Sequence, residues 1–198
     1  MRVVDALTLS PKRRALLKPG EFHADPNGNR HRLPRFFYEI ETWAEAKQIK
    51  LTAHFFLSEL MSVDCREARA IFRQAPQYIP CAVSVLARYL EEFRARVDAP
   101  VCVSVNGGYR SPAHARNLNR ATPHQWAAAA DIYRVGENWL DSQKTIERYA
   151  KIAESIGPEV HVKPFGHGAG ENDDHLHIDL GYLTLIPGNC NEDEPPNP

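Results

Sequence analysis

The sequence predicts one domain that mixes helices with short strands, and three stretches carry that prediction. From Pro80 to Val97 the apolar residues Val83, Leu86, Leu90, Phe93 and Val97 recur at three- and four-residue steps, which marks one buried helical face. After Pro100, the β-branched run Val101-Cys102-Val103-Ser104-Val105 reads as a buried strand. Near the end, His175-Leu176-His177-Ile178-Asp179-Leu180 alternates polar and apolar strictly, so His175, His177 and Asp179 share one strand face and Leu176, Ile178 and Leu180 the other. With 198 residues, 43% of them hydrophobic, the chain is long enough to bury a full core.

Residues 1 to about 33 are rich in Arg, Lys, Pro, Gly and Asn, and Asp25-Pro26-Asn27-Gly28-Asn29 is a strong turn signal. Residues 1–50 are expected to form an N-terminal arm or extension, with His23 and His31 solvated. Phe36 to Ala44 fits a helical face, while Phe37-Tyr38-Glu39-Ile40 fits a short strand equally well. Ser58 is a candidate cap for a short helix within Leu51–Met61. Asn106-Gly107-Gly108 ends the strand after Val105, glycine permitting the positive φ of a sharp exit. Ser111 and Pro112 then open a short helix through Asn119, which holds Arg110 at a strand-to-helix corner.

Ala129 to Val135 reads as a strand, and a second helix follows with Asp141 or Ser142 as cap and Ile146, Tyr149, Ile152, Ala153 and Ile156 as its buried face. Glu159 to Val162 is expected to be a further strand, with His161 packed or hydrogen-bonded, and His167 sits in a glycine-rich loop. From Asn189 the chain is a Pro-, Asn- and acid-rich tail.

Composition narrows the function classes. A formal net charge of -1 argues against a polyanion-binding surface, so nucleic acid is not an expected partner. No run approaches the eighteen or so apolar residues of a membrane span, and the start lacks the pattern of a secretory leader. The expectation is a soluble monomer, cytoplasmic or released by another route. Cys65, Cys81, Cys102 and Cys190 form no C-x-x-C pair; Cys81 and Cys102 sit in apolar patterns as buried thiols.

The chemistry points to His124, Asp131 and His177, because two imidazoles and a carboxylate make the three-ligand set of a catalytic zinc that keeps one position for water. His124 and Asp131 would stand roughly 23 Å apart on a fully extended chain, whereas each ligand lies about 2 Å from its metal. The chain must therefore bend between them. Pairing of the Asp131 strand with the His177 strand sets those two side by side. Two other readings remain open: a structural polar network, and a domain that uses metal or cleft to bind a partner.

These residues resemble a known family. Gly108-Tyr109-Arg110-Ser111, the S/T-x-H-x(6)-D pattern at Thr122, His124 and Asp131, and the D-x-x-H at Asp174 and His177 look like the zinc D-alanyl-D-alanine carboxypeptidases and dipeptidases of peptidase family M15. The resemblance covers residues 51–182, with 183–198 as a tail. It implies an α+β fold whose small, mostly antiparallel sheet carries a metal site, with helices packed on the other face. It implies one Zn2+ ion held by His124, Asp131 and His177, with Asp174 as the general base. Arg110 would bind substrate and steady the transition state, flanked by Tyr109 and Ser111. An ideal strand turns Asp174 away from His177, which makes His175 the rival base or a supporting partner. The implied substrate is a short peptide or peptidoglycan stem peptide, cut at a D-Ala-D-Ala or L-Ala-D-Glu bond. The alternative is a non-catalytic, metal-containing peptide- or partner-binding domain of the same fold. Ala127 departs from the glycine usual in the family, and alanine tolerates positive φ poorly.

Overall fold

The computed structural model describes residues 1–64, 75–114, 120–166 and 173–187. The first part of the chain forms β1 (Arg2–Asp5), a 3-10 turn at Ala6–Thr8, α1 (Pro11–Leu17), a hairpin of β2 (Phe22–Ala24) and β3 (Arg30–Arg32), then β4 (Phe36–Ile40) and α2 (Trp43–Ala46). α3 (Leu57–Leu60), β5 (Gln77–Pro80), α4 (Val83–Val97) and β6 (Val101–Val103) follow. A 3-10 turn at Pro123–Trp126 leads into β7 (Ala129–Val135), β8 (Asn138–Trp139), α5 (Gln143–Glu154), β9 (His161–Val162) and β10 (Leu176–Asp179). The fold is α+β, with antiparallel sheets.

Local chemistry explains most boundaries. α4 buries Val83, Leu86, Ala87, Leu90 and Phe93 and stops at Asp98, whose left-handed φ of 46° turns the chain toward Pro100. Arg94 and Arg96 in its last turn suit the negative end of the helix dipole. α5 starts where the Ser142 hydroxyl accepts a hydrogen bond from the Thr145 amide at 3.4 Å, so Ser142, not Asp141, is the cap. The Phe37–Ile40 stretch is a strand, and α2 begins after it behind Thr42. Ser58 lies inside α3 rather than capping it: Phe56 holds the cap position, and its amide is taken by the Glu59 carboxylate at 2.8 Å. Residues 111–114 form a turn, and the rest of the helix expected there lies outside the described residues, as do Cys65, Cys190 and His167. Cys81 and Cys102 are free; Cys81 is buried and Cys102 half-buried.

One sheet runs β1-β4-β5; the other runs β6-β7-β10-β9, with β8 paired to β7. A shared core joins Phe37 and Ile79 of the first to Leu86, Leu90 and Phe93 of α4, Ile146 and Tyr149 of α5, and Ile132, Leu176 and Ile178 of the second. In β10 the alternation is resolved as follows: Leu176 and Ile178 stand opposite Ile132 and Ala130 on the core face, and His177 stands opposite Asp131 on the other.

The β2–β3 hairpin is held at its tip by Asp25, whose carboxylate accepts from the amides of Asn27 and Asn29 at 2.9 Å each. It packs across residues 121–126. The Ala121 amide donates to the Ala24 carbonyl at 2.8 Å, and the Trp126 indole donates to the Arg32 carbonyl at 3.1 Å. His23 is therefore 7% exposed beside Gln125, and His31 stacks on Tyr182 with ring centroids 3.5 Å apart. Neither is a solvated arm residue, because the hairpin covers the loop that a linear reading cannot bring near it.

Phe93→Ala should lower stability by about 4 kcal/mol, since it opens a cavity among residues with no solvent access; urea unfolding followed by circular dichroism measures the loss.

Candidate metal centre

His124, Asp131 and His177 arrive from three places. His124 comes from the 3-10 turn before β7, Asp131 from the middle of β7, and His177 from the middle of β10. All three are buried, and one ligand atom from each lies within 4.8 Å of the others. Asp131 Oδ1 sits 2.8 Å from His177 Nδ1 and 3.3 Å from His124 Nε2.

The far side of each imidazole decides which nitrogen faces the cluster. His124 Nδ1 lies 2.8 Å from the Gly108 carbonyl, which can only accept, so Nδ1 carries the proton and the Nε2 lone pair points at Asp131. His177 Nε2 lies 2.9 Å from Asp179 Oδ2, so it donates outward while Nδ1 faces Asp131. Such outer partners orient metal-binding histidines. The residues singled out from the sequence do not include Asp179 or the Gly108 carbonyl in this role. The period-two pattern does place Asp179 on the face of His177; nothing local points to the carbonyl.

The loop Ser104–Arg110 is stitched to four residues outside it. The Tyr109 amide donates to Leu60, the Asn106 amide to Ser62, the Asp131 amide to Gly107, and the Arg110 amide to His124, at 2.7, 2.9, 2.8 and 3.1 Å. The positive φ at this corner belongs to Asn106, at 63°, not to the two glycines. Gly107 and Gly108 are needed for close approach instead: a Cβ on Gly108 would meet the Leu60 carbonyl oxygen at 2.2 Å, and one on Gly107 the Asp131 carbonyl oxygen at 2.7 Å.

Burial alone would raise the Asp131 carboxyl, but the charge and hydrogen bonds of His124 and His177 outweigh it and hold the group well below its usual range. Burial, reinforced by the charge of Arg110 and opposed by Asp131, pushes His124 down to about 4, so the ring is neutral as a metal ligand must be. His177 is also penalised by burial, yet hydrogen bonds to Asp131 and Asp179 raise its pKa overall.

Arg110 reaches the cluster through Asp131. One guanidinium nitrogen donates to Asp131 Oδ2 and Nε donates to the Asn106 carbonyl, which leaves Oδ1 turned toward the histidines. Tyr109 belongs to the core and is 6% exposed, and Ser111 is 1% exposed. The structure thus buries both expected substrate contacts beneath the corner that aims Arg110. Asp174 is 81% exposed, and its Oδ1 lies 2.6 Å from His175 Nδ1. His175 Nε2 in turn lies 3.6 Å from Asp131 Oδ1. His161 is exposed on β9.

The family model for peptidase M15 matches residues 53–179, a span that contains every residue of this cluster. The chain belongs to the peptidase M15 family. No curated protein and no solved structure matches it. M15 is a zinc-dependent metallopeptidase family, and this member carries a buried His-Asp-His cluster of the composition that zinc takes. Ala127 closes the 3-10 turn at φ 53°, ψ 35°, in the left-handed region that favours glycine over other residues.

That alanine makes a local test possible. Left-handed backbone costs an L-residue roughly 1–2 kcal/mol, while a buried methyl is worth about 0.8 kcal/mol. Ala127→Gly should therefore leave stability unchanged or raise it by up to about 1 kcal/mol. Ala128→Gly, equally buried but without positive φ, loses its methyl with no relief and should cost about 1–2 kcal/mol. Thermal unfolding of the two variants side by side checks the order.

Proposed function

We propose that this chain is a zinc-dependent peptidase that hydrolyses a short peptide, and that His124, Asp131 and His177 hold its one zinc ion. The observation that carries this reading is the approach of three buried donors to within 4.8 Å, with both imidazoles oriented from behind by Gly108 and Asp179. The donor set fits zinc with an open position. When bound, the ion supplies an activated water and polarises the scissile carbonyl.

The remaining steps fall to the side chains. His175 is the proton acceptor: Asp174 fixes its Nδ1, and Nε2 faces the cluster 3.6 Å from Asp131. It takes a proton from the attacking water and returns it to the leaving amine. Asp174 lies before β10 begins at Leu176 and acts through His175. Arg110 keeps Asp131 aimed, and its positive charge favours the anion that develops at the carbonyl. The substrate we infer is a peptidoglycan stem peptide, cut at D-Ala-D-Ala or L-Ala-D-Glu; the family supports a peptide, and the bond is the further step.

Protein purified without a histidine tag is incubated with sacculi, D-Ala-D-Ala peptides and L-Ala-γ-D-Glu peptides, and products are read by mass spectrometry. Cleavage should vanish with chelator and return with zinc. His175→Ala should lower kcat by about a hundred- to ten-thousandfold with zinc content unchanged, and Asp174→Ala by less; the reverse order would make Asp174 the base. No cleavage by zinc-loaded protein would favour the non-catalytic peptide-binding domain. Asp179→Ala should weaken zinc binding by about ten- to a hundredfold, measured by competition with a chelating dye.

A further inference from the structure

The sheet face that carries Asp131 and His177 continues past them. Between β6 and β7 the register slips: Cys102 pairs with Arg134, but Val103 pairs with Ile132, so Tyr133 is an extra residue on β7. Val101, Val103, Ile132 and Val135 all face or pack against the core. Cys102 and Arg134 therefore share the opposite face with Asp131. Trp139 of β8 is paired with Arg134 and joins them there. Bulges of this kind re-aim side chains and are frequent beside active sites.

Three side chains meet on this extension. The Arg134 guanidinium lies 5.7 Å over the Trp139 ring, and the Tyr133 and Trp139 rings are 5.5 Å apart. Trp139 is 56% exposed, a large apolar surface left open to water. Arg134 is half-buried, and its Nη2 makes a weak contact to Cys102 Sγ at 3.5 Å. Its Nε is buried with no hydrogen-bond partner, and among the described residues no carboxylate forms an ion pair with it. Glu137 is close enough for its charge to be felt but does not pair. A guanidinium held over an indole, with a donor nitrogen unspent, is suited to receiving a carboxylate in a two-pronged hydrogen bond.

Distance selects which carboxylate. Two residues, Ile132 and Tyr133, lie between Asp131 and Arg134, so the bulged strand carries the Arg134 Cα at most about 10 Å from that of Asp131. In an extended stem peptide ending in D-Ala-D-Ala, the free α-carboxylate of the γ-linked D-Glu lies beyond two residues and the side-chain carbons of the γ link, a similar reach of roughly 10–12 Å from the scissile bond. We propose that Tyr133, Arg134 and Trp139 form a substrate subsite that binds a free peptide carboxylate two residues from the scissile bond, with Arg134 pairing the anion and the aromatic rings holding Arg134 in place. This rests on the peptidase reading and adds the feature of the substrate that the protein selects.

The test uses the full-length, zinc-loaded protein and two synthetic peptides, L-Ala-γ-D-Glu-L-Lys-D-Ala-D-Ala and the same peptide with the D-Glu α-carboxylate amidated. KM is compared where a peptide is cut, and Kd from calorimetry where it is not. The unmodified protein should favour the free carboxylate by roughly tenfold or more. Arg134→Gln should abolish that preference while leaving the amidated peptide unaffected, and Trp139→Ala, a change at an exposed position, should reduce it several-fold. Equal affinity for the two peptides in the unmodified protein, or an equal loss for both in Arg134→Gln, overturns the subsite. If the peptides are cut without preference, the peptidase reading stands and the subsite fails. If they bind with an Arg134-dependent preference but are not cut, the subsite stands and the peptidase reading fails.

Discussion

The antiparallel register that sets His177 opposite Asp131 is the constraint on which the rest of the site depends. A slip of one residue would exchange the two faces of β10, sending the imidazole into the core and Leu176 or Ile178 toward the cluster. Hydrophobic burial enforces the register, because Leu176 and Ile178 are each worth about 1.5–3 kcal/mol in the core and nothing on the other face. The apolar half of the strand thus aligns the polar half. The polar half is tolerable because it is paired throughout: His124, Asp131, His177 and Asp179 form one continuous line of contacts, ended by a carbonyl on one side and by the Gly181 amide on the other.

The second constraint is steric. The Gly107-Gly108 corner runs so close to Leu60 and Asp131 that no side chain fits at either position. That closeness brings the Gly108 carbonyl to His124 and lets the Arg110 amide return a hydrogen bond to the His124 carbonyl. Glycine serves proximity here, whereas the left-handed turn beside it is made by Asn106, whose side-chain oxygen accepts the Asp64 amide at 3.0 Å. The left-handed residue in the turn that presents His124 is an alanine, which indicates that packing around Ala127 is strong enough to impose a backbone its side chain disfavours.

What can be read from the sequence follows the length and regularity of each pattern. The helical face of residues 83–97 and the alternation at 175–180 each repeat often enough to be unambiguous, and the strand at Ala129–Val135 is legible from its residues alone. Short elements are not. β1, β2 and β3 have three or four residues each, too few to show a period, and the partners of β1 and of the hairpin as a whole are tens of residues away. The same limit hides the burial of His23 and His31, which depends on Gln125 and Tyr182. The three-residue cluster is legible because each member stands in a distinctive spacing; the direction of the His124 ring is not, because it is set by a backbone carbonyl of a kind that every residue possesses.

The hairpin of β2 and β3 lies outside the stretch shared with the M15 family, yet Ala24 and Arg32 bond to both ends of the loop that presents His124. Trp126, without solvent access in the intact chain, is roofed by it. Proteolytic excision of the first fifty residues would strip that roof and wet the indole beneath, leaving the histidine's loop free to drift from the two strands it must meet. Cleavage far from the cluster along the chain would thereby loosen it, and a minimal fragment cut to the family's boundaries would inherit His124, Asp131 and His177 without the hairpin contacts that hold the His124 turn in place.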